Sequence, residues 1–333
     1  MNIKQSYQKP HDQLAKYLNE DMGAVNALIS ERMASKYAPR IPEVTAHLIG
    51  AGGKRLRPML TLAAARLCGY KGPHHIHLAA TVELIHTATL LHDDVVDESC
   101  RRRGRPTANL LWDNKSSVLV GDYLFSRSFQ LMVETGSLQV LDILANASAT
   151  IAEGEVLQLT ASRDLTTTED IYLQVVRGKT AALFSAATQV GGVIAGVGHE
   201  GEQALYEFGD ALGIAFQIVD DLLDYSGSVE AIGKNIGDDF CESKLTLPVI
   251  KAVALATTAE NAFWHRTIAL GDQTDADLDQ AIEIMTAHGT LDAARADALA
   301  WIARAKKSLA GLPEHELRTM LRDLADYVVE RIA

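Results

Sequence analysis

Two short acidic blocks stand out from an otherwise apolar and mixed-charge chain: Asp93-Asp94-Val95-Val96-Asp97 and Asp220-Asp221-Leu222-Leu223-Asp224. Each is an Asp-Asp-x-x-Asp sequence at the end of a long apolar run. On a helix, the first and last Asp of each block are four residues apart and the second and last are three apart, so all three carboxylates share one face. Like charges on one turn repel, and the negative end of the helix dipole adds to the cost. Acids placed there need cations. Carboxylate oxygens suit Mg²⁺, which keeps several waters and takes the rest of its shell from substrate phosphates. One such block is more often a solvated helix end; two, each closing an apolar run, point to a metal site. Neither block carries the spaced acids, central Gly and closing Glu of an EF-hand.

Cations recur near these acids. Gly52-Gly53-Lys54-Arg55-Leu56-Arg57-Pro58 joins a free backbone, three cations and a proline suited to a first helical turn, a pattern that fits either an anion site or a basic loop that is merely solvated. Arg101-Arg102-Arg103-Gly104-Arg105 follows the first block and could pair with its carboxylates or hold the far end of a polyanion. Gly178-Lys179-Thr180 lies inside a helical run, where a glycine costs about 1 kcal/mol relative to Ala; a close approach or local kink near Lys179 is expected. Lys234 sits among glycines in the most loop-like stretch, 230–239. His86 lies two turns before Asp93 on the same face, as a satisfied core histidine or as part of the site. For His74, His75 and His77 a zinc site lacks a Cys or acid at suitable spacing, and surface histidines are expected.

The elements that carry these groups all read as helices. Apolar residues recur at helical spacing, no convincing period-2 strand appears, and an all-α protein is expected. The periodicity predicts one helix over Asp12–Ser35, another opened by Pro42-Glu43, a third from Pro58 through Cys68, and a long one from His74 to the first block. Further helices are predicted over Ser117–Glu134 and Leu138–Leu159, and from a Thr168 cap. Gly191-Gly192 and Gly196-Val197-Gly198 are expected to break the chain. Four or five scaffold helices then follow Pro248. A net charge of −12 argues against nucleic-acid binding, which draws on phosphate neutralisation. Three scattered cysteines suggest a reducing compartment. With no apolar leader and no long uncharged apolar run, a soluble, cytoplasmic protein is expected.

There is no Ser-His-Asp set, reactive-cysteine signature, Walker loop or dinucleotide fingerprint. Acidic metal blocks, nearby cations and apolar helices leading into them suit an anionic substrate with a hydrocarbon body. The chemistry favoured is departure of a diphosphate from carbon.

The Gly-Gly-Lys-Arg-Leu-Arg-Pro run, the first acidic block followed by Arg102-Arg103-Gly104, Gly178-Lys179-Thr180, Phe216-Gln217-Ile218-Val219-Asp220-Asp221-x-x-Asp224 and Gly233-Lys234 resemble, in order and spacing, the trans-isoprenyl diphosphate synthases. The stretch around the first block is most similar to bacterial octaprenyl and decaprenyl diphosphate synthases. The resemblance implies an all-α isoprenoid (terpenoid) synthase fold, a large single-domain helical bundle around a central cavity spanning 1–333. Its motif-bearing core covers about 45–250, and 251–333 is scaffold. It also implies a homodimer that condenses isopentenyl diphosphate 1'-4 onto an allylic diphosphate (farnesyl or geranylgeranyl), with three Mg²⁺ ions, for quinone side chains.

Carried over by position, Asp93 and Asp97, with Asp94 in support, would bind Mg²⁺, and Asp220, with Asp221 and Asp224 nearby, would complete the metal site. Arg102, Lys179, Thr180, Gln217 and Lys234 match contacts to the allylic diphosphate. Lys54, Arg57, His86 and Arg103 match the isopentenyl diphosphate site. Ser243 stands where the family often has Gly. Product length is expected to follow Ala88 and Thr89, where short-chain members carry an aromatic, with Ile85 further down; small Ala88 favours a long product. Phe129 and Met132 are candidates for the tunnel floor. A geranylgeranyl or farnesyl synthase and a noncatalytic subunit of a heteromeric synthase remain as alternatives.

Overall fold

The computed structural model describes residues 9–50, 52–102, 104–226 and 237–332; Arg103 and Lys234 lie outside the described residues. The fold is all-α. Among the described residues the strands are confined to β1 (Arg101–Arg102) and β2 (Arg105–Pro106), a two-residue antiparallel hairpin turned at Gly104. That hairpin is too short for any alternation to register in the sequence. The chain divides into two compact units: Met1–Asn146 with Leu183–Tyr206 and Ser308–Tyr327, and Ala147–Ala182 with Glu207–Lys307 and Val328–Ala333.

The first unit is built on α5 (His74–Val96), a 23-residue helix. It is apolar nearly all round, the mark of a helix buried among others. It packs against α2 (Asn19–Met33), α4 (Leu56–Leu67) and α7 (Asn114–Glu134). The expected helix over 12–35 is broken at Leu18, which leaves helical geometry (φ −95°, ψ 14°) and separates α1 (Pro10–Tyr17) from α2. α7 starts at Asn114, ahead of the expected Ser117, because the Asp113 carboxylate accepts the Ser116 N–H at 2.6 Å as an N-cap. Gly191 and Gly192 do not break the chain. They lie inside α10 (Ala182–Ala195), and a Cβ on Gly191 would come within 2.8 Å of the Thr61 carbonyl and the Ala64 methyl. The glycines let α10 approach α4; the break falls at Gly196 and Val197.

His75 is not a surface histidine. It is buried, with Nε2 3.3 Å from Asp21 Oδ1, and Arg66 grips both oxygens of Asp21 at 2.8 and 2.7 Å. His74 and His77 are half-buried, and His77 Nε2 lies 3.4 Å from Glu134.

In the second unit, α8 (Leu138–Ala161) supplies Gly154, and α9 (Glu169–Val176) begins at the expected cap, where the Thr168 hydroxyl accepts the Ile171 N–H. α9 then runs into a π-helical turn, Arg177–Ala181. Gly154 and Gly178 touch backbone to backbone: a Cβ on Gly178 would lie 2.7 Å from Gly154 Cα, and one on Gly154 would lie 2.6 Å from the Lys179 nitrogen. The kink expected near Lys179 is this turn. Four α-helices follow Thr246 in this unit, and Trp264, Phe240, Val249, Ile268 and Met285 form part of its core. Ser243 takes a left-handed conformation (φ 56°), a region that favours glycine.

Two outcomes follow. Gly154→Ala should cost about 1–3 kcal/mol through overpacking against backbone that has no rotamer to yield, measurable by denaturant unfolding; an unchanged midpoint would refute the tight contact. Burial holds the His75 imidazole below its ordinary range, and Arg66 holds the Asp21 carboxyl below its own. Both groups take up protons more readily in the unfolded chain. Stability should therefore fall as pH drops through about 6.5, when the unfolded His75 protonates, and again below about 3.9 as Asp21 does. Asp21→Asn should flatten the lower limb of a melting-temperature curve against pH, and a limb as steep as wild type would contradict the assignment.

Candidate active site

The first acidic block ends α5, and its three carboxylates differ sharply in exposure. Asp94 is 0% exposed, while Asp93 and Asp97 are half-buried. Arg102, presented by β1, donates from Nε and Nη2 to Asp94 Oδ1 at 2.9 and 2.8 Å, and Asn109 donates to the Asp94 carbonyl at 3.1 Å. Asp94 Oδ2 is buried without a hydrogen-bond partner among the described residues. Desolvation pushes the Asp94 carboxyl above its ordinary range, against the pull of Arg102.

One face of α5, carrying Glu83, His86, Leu90 and Asp94, lines a cleft with Arg55 and Arg102. Arg57 Nη1 lies 3.1 Å from His86 Nε2, and its guanidinium sits 4.5 Å over the Phe184 ring. His86 therefore belongs to the basic side of the cleft rather than to the core. Lys54 is exposed, and its carbonyl is 2.6 Å from His11 Nε2. Arg55 opens α4 in a left-handed conformation and is ion-paired with Glu83.

In the second unit, α11 (Gly198–Ser226) delivers Gln217 and the second block. Asp220 is half-buried, whereas Asp221 and Asp224 are buried. Asp221 Oδ2 accepts the Tyr172 hydroxyl at 2.6 Å and Oδ1 accepts the Gln217 amide at 2.8 Å; Gln217 Oε1 accepts the Thr180 hydroxyl at 2.8 Å. Burial pushes the Asp221 carboxyl up to about 6 despite these donors. Asp224 Oδ2 accepts the Asp239 N–H at 3.0 Å. The π-helical turn presents Lys179, whose Nζ lies 2.9 Å from Glu155. Lys179, Thr180, Gln217 and Asp221 border one cavity.

Residues 38–285 match the polyprenyl synthetase model. The chain belongs to that family. It is 44% identical to the octaprenyl diphosphate synthase of Escherichia coli (strain K12) over 312 residues, 94% of this chain and 96% of that protein. A decaprenyl diphosphate synthase from Rhodobacter capsulatus is 73% identical in its crystal structure, with a TM-score of 0.95 over 97% of this chain and 99% of that one. A polyprenyl synthase from Caulobacter crescentus CB15, crystallised with calcium and isoprenyl diphosphate, is 51% identical with a TM-score of 0.92 over 97% and 98% of the two chains.

Within this polyprenyl synthetase, Ala88 and Ile85 are 0% exposed on α5, and Thr89 is half-buried, donating to the His86 carbonyl at 2.9 Å. Met132 is buried on α7, and Phe129 is 42% exposed. Sequence reasoning missed Glu83, Glu155 and Tyr172. Glu83 carries a signal, because it shares the helix face of His86 and Asp94; Tyr172 carries none, because only the fold brings α9 to α11.

Arg102→Ala should strip the buried Asp94 of its counter-charge. Because Arg102 is 30% exposed, the loss should fall toward the low end of about 3–5 kcal/mol. Adding Asp94→Asn should restore much of it, since the amide carries no charge. Equal instability of the single and double variants would show that the ion pair is not the source.

Proposed function

We propose that this chain is a long-chain all-trans polyprenyl diphosphate synthase, a prenyltransferase joining isopentenyl diphosphate 1'-4 to farnesyl or geranylgeranyl diphosphate, for quinone side chains. The observation that carries the product length is the 73% identity to a decaprenyl diphosphate synthase over nearly the whole chain. The sorting of the acidic blocks supports the metal assignment. Asp93, Asp97 and Asp220 keep exposed surface, whereas Asp94, Asp221 and Asp224 are buried in hydrogen bonds and ion pairing. An all-oxygen donor set fits Mg²⁺.

Asp93, Asp97 and Asp220 would hold Mg²⁺. The ions, when bound, neutralise charge on the departing diphosphate. Lys179 keeps donors beyond the one aimed at Glu155, and Arg102 keeps Nη1 beyond its two bonds to Asp94, so each can also bind the allylic diphosphate. Thr180, Gln217 and Lys234 serve the same group. Lys54, Arg57, His86 and Arg103 hold isopentenyl diphosphate. The apolar faces of the helices keep water from the allylic cation. The isopentenyl double bond attacks that cation, and a proton then leaves to the released pyrophosphate. A homodimer is supported by Leu119, Phe129 and Val133, exposed on α7 at helical spacing. No helix among the described residues is long and apolar enough to cross a membrane, and a cytoplasmic enzyme is proposed.

Purified protein given labelled isopentenyl diphosphate, farnesyl diphosphate and Mg²⁺ should make products of octaprenyl to decaprenyl length after dephosphorylation. A stop at geranylgeranyl length would refute the long-chain reading, and no incorporation would favour a noncatalytic subunit. Asp93→Ala should abolish turnover with helicity intact, and Ala88→Phe should shorten the product.

A further inference from the structure

We infer that Tyr172 is a positioning residue for the allylic diphosphate: its phenol locks Asp221, and through Asp221 it fixes which end of the Gln217 amide meets the substrate. The inference rests on the proposed reading of Gln217 as a contact to that diphosphate, with Thr180 taking part through Gln217.

Hydrogen-bond polarity carries the argument. Ionised Asp221 can only accept. The Gln217 group 2.8 Å from its Oδ1 must therefore be the NH₂, and the Gln217 oxygen must be the atom that accepts from the Thr180 hydroxyl. Thr180 thereby spends its only hydroxyl proton on Gln217. The hydroxyl then has only lone pairs to offer a phosphate oxygen, so the useful side-chain donor of the pair is the second N–H of Gln217. Were the amide reversed, its oxygen would repel the diphosphate. Asp221 enforces the correct sense only while its carboxylate is held, and the Tyr172 hydroxyl holds it, donating to Oδ2 at 2.6 Å. Both partners are buried, Tyr172 at 5% and Asp221 at 4% exposure, so water cannot readily replace the phenol. Tyr172 and Gln217 border the same cavity as Lys179. The tyrosine therefore acts on the substrate through two side chains rather than by touching it.

The test is a steady-state comparison of Tyr172→Phe with wild type. The Michaelis constant for farnesyl diphosphate should rise about ten-fold (about 1.4 kcal/mol), while that for isopentenyl diphosphate stays within about two-fold. Gln217→Ala alone should raise the same constant, and adding Tyr172→Phe to it should change it less than about two-fold, because the tyrosine acts through the amide. Equal effects on both substrates, or fully multiplicative effects of the two substitutions, would overturn the inference. Should the Phe variant not fold, 4-fluorophenylalanine at position 172 fills the space of the hydroxyl without a donor and is held to the same two outcomes. A wild type that turns over while Tyr172→Phe is unselective defeats this inference alone; a wild type that makes no product defeats the reading beneath it.

Discussion

A carboxylate taken out of water must be compensated, and the surroundings of both acidic blocks are arranged around that constraint. Asp94 is completely buried at the end of an apolar helix, and it is held there by a guanidinium from a hairpin only two residues long on each side. An isolated hairpin of that size has little stability of its own. The ion pair fixes where the hairpin lies against α5 and where Arg102 borders the cleft. Asp221 is compensated differently, by a phenol and an amide. In each block the buried acids, Asp94 in the first and Asp221 and Asp224 in the second, are thus structural anchors.

Glycine has a comparable role at the second block. The backbone contact between Gly154 and Gly178 brings α8 against a helix that has slipped into a π-helical turn. Such a turn widens the helix by one residue, and here it re-aims Lys179 and Thr180 together. Thr180 then reaches Gln217 on α11, while Lys179 meets Glu155 on α8. Packing with no side chain between the helices is therefore what sets the polar geometry around the cavity.

These arrangements explain why basic and acidic groups coexist so closely in a chain of net charge −12. Arg55 with Glu83, Arg102 with Asp94, and Lys179 with Glu155 are each paired, yet Arg and Lys carry more donors than one carboxylate can use. Such groups stay fixed in position without being fully satisfied. A polyanion can then be met by ordered donors rather than by side chains that must first be immobilised.

The sequence by itself determined the helical class, the end of α5 at the first acidic block, the Thr168 cap and the disturbance at Gly178. Each of these is written in periodicity, capping chemistry or glycine placement within a few residues. The similarity of its motifs to one family was equally local, because metal and diphosphate chemistry demands particular side chains at particular spacings. What only the tertiary structure decided depends on residues distant in the chain. The division of the six aspartates into buried and half-buried sets follows from what packs over them, not from their spacing. The same holds for the burial of His75 against Asp21, and for Gly191, read as a break but serving as a close helix contact with α4. Tyr172 is the clearest case: nothing in its local sequence separates it from an ordinary core tyrosine, and its hydrogen bond exists because the fold sets α9 beside α11.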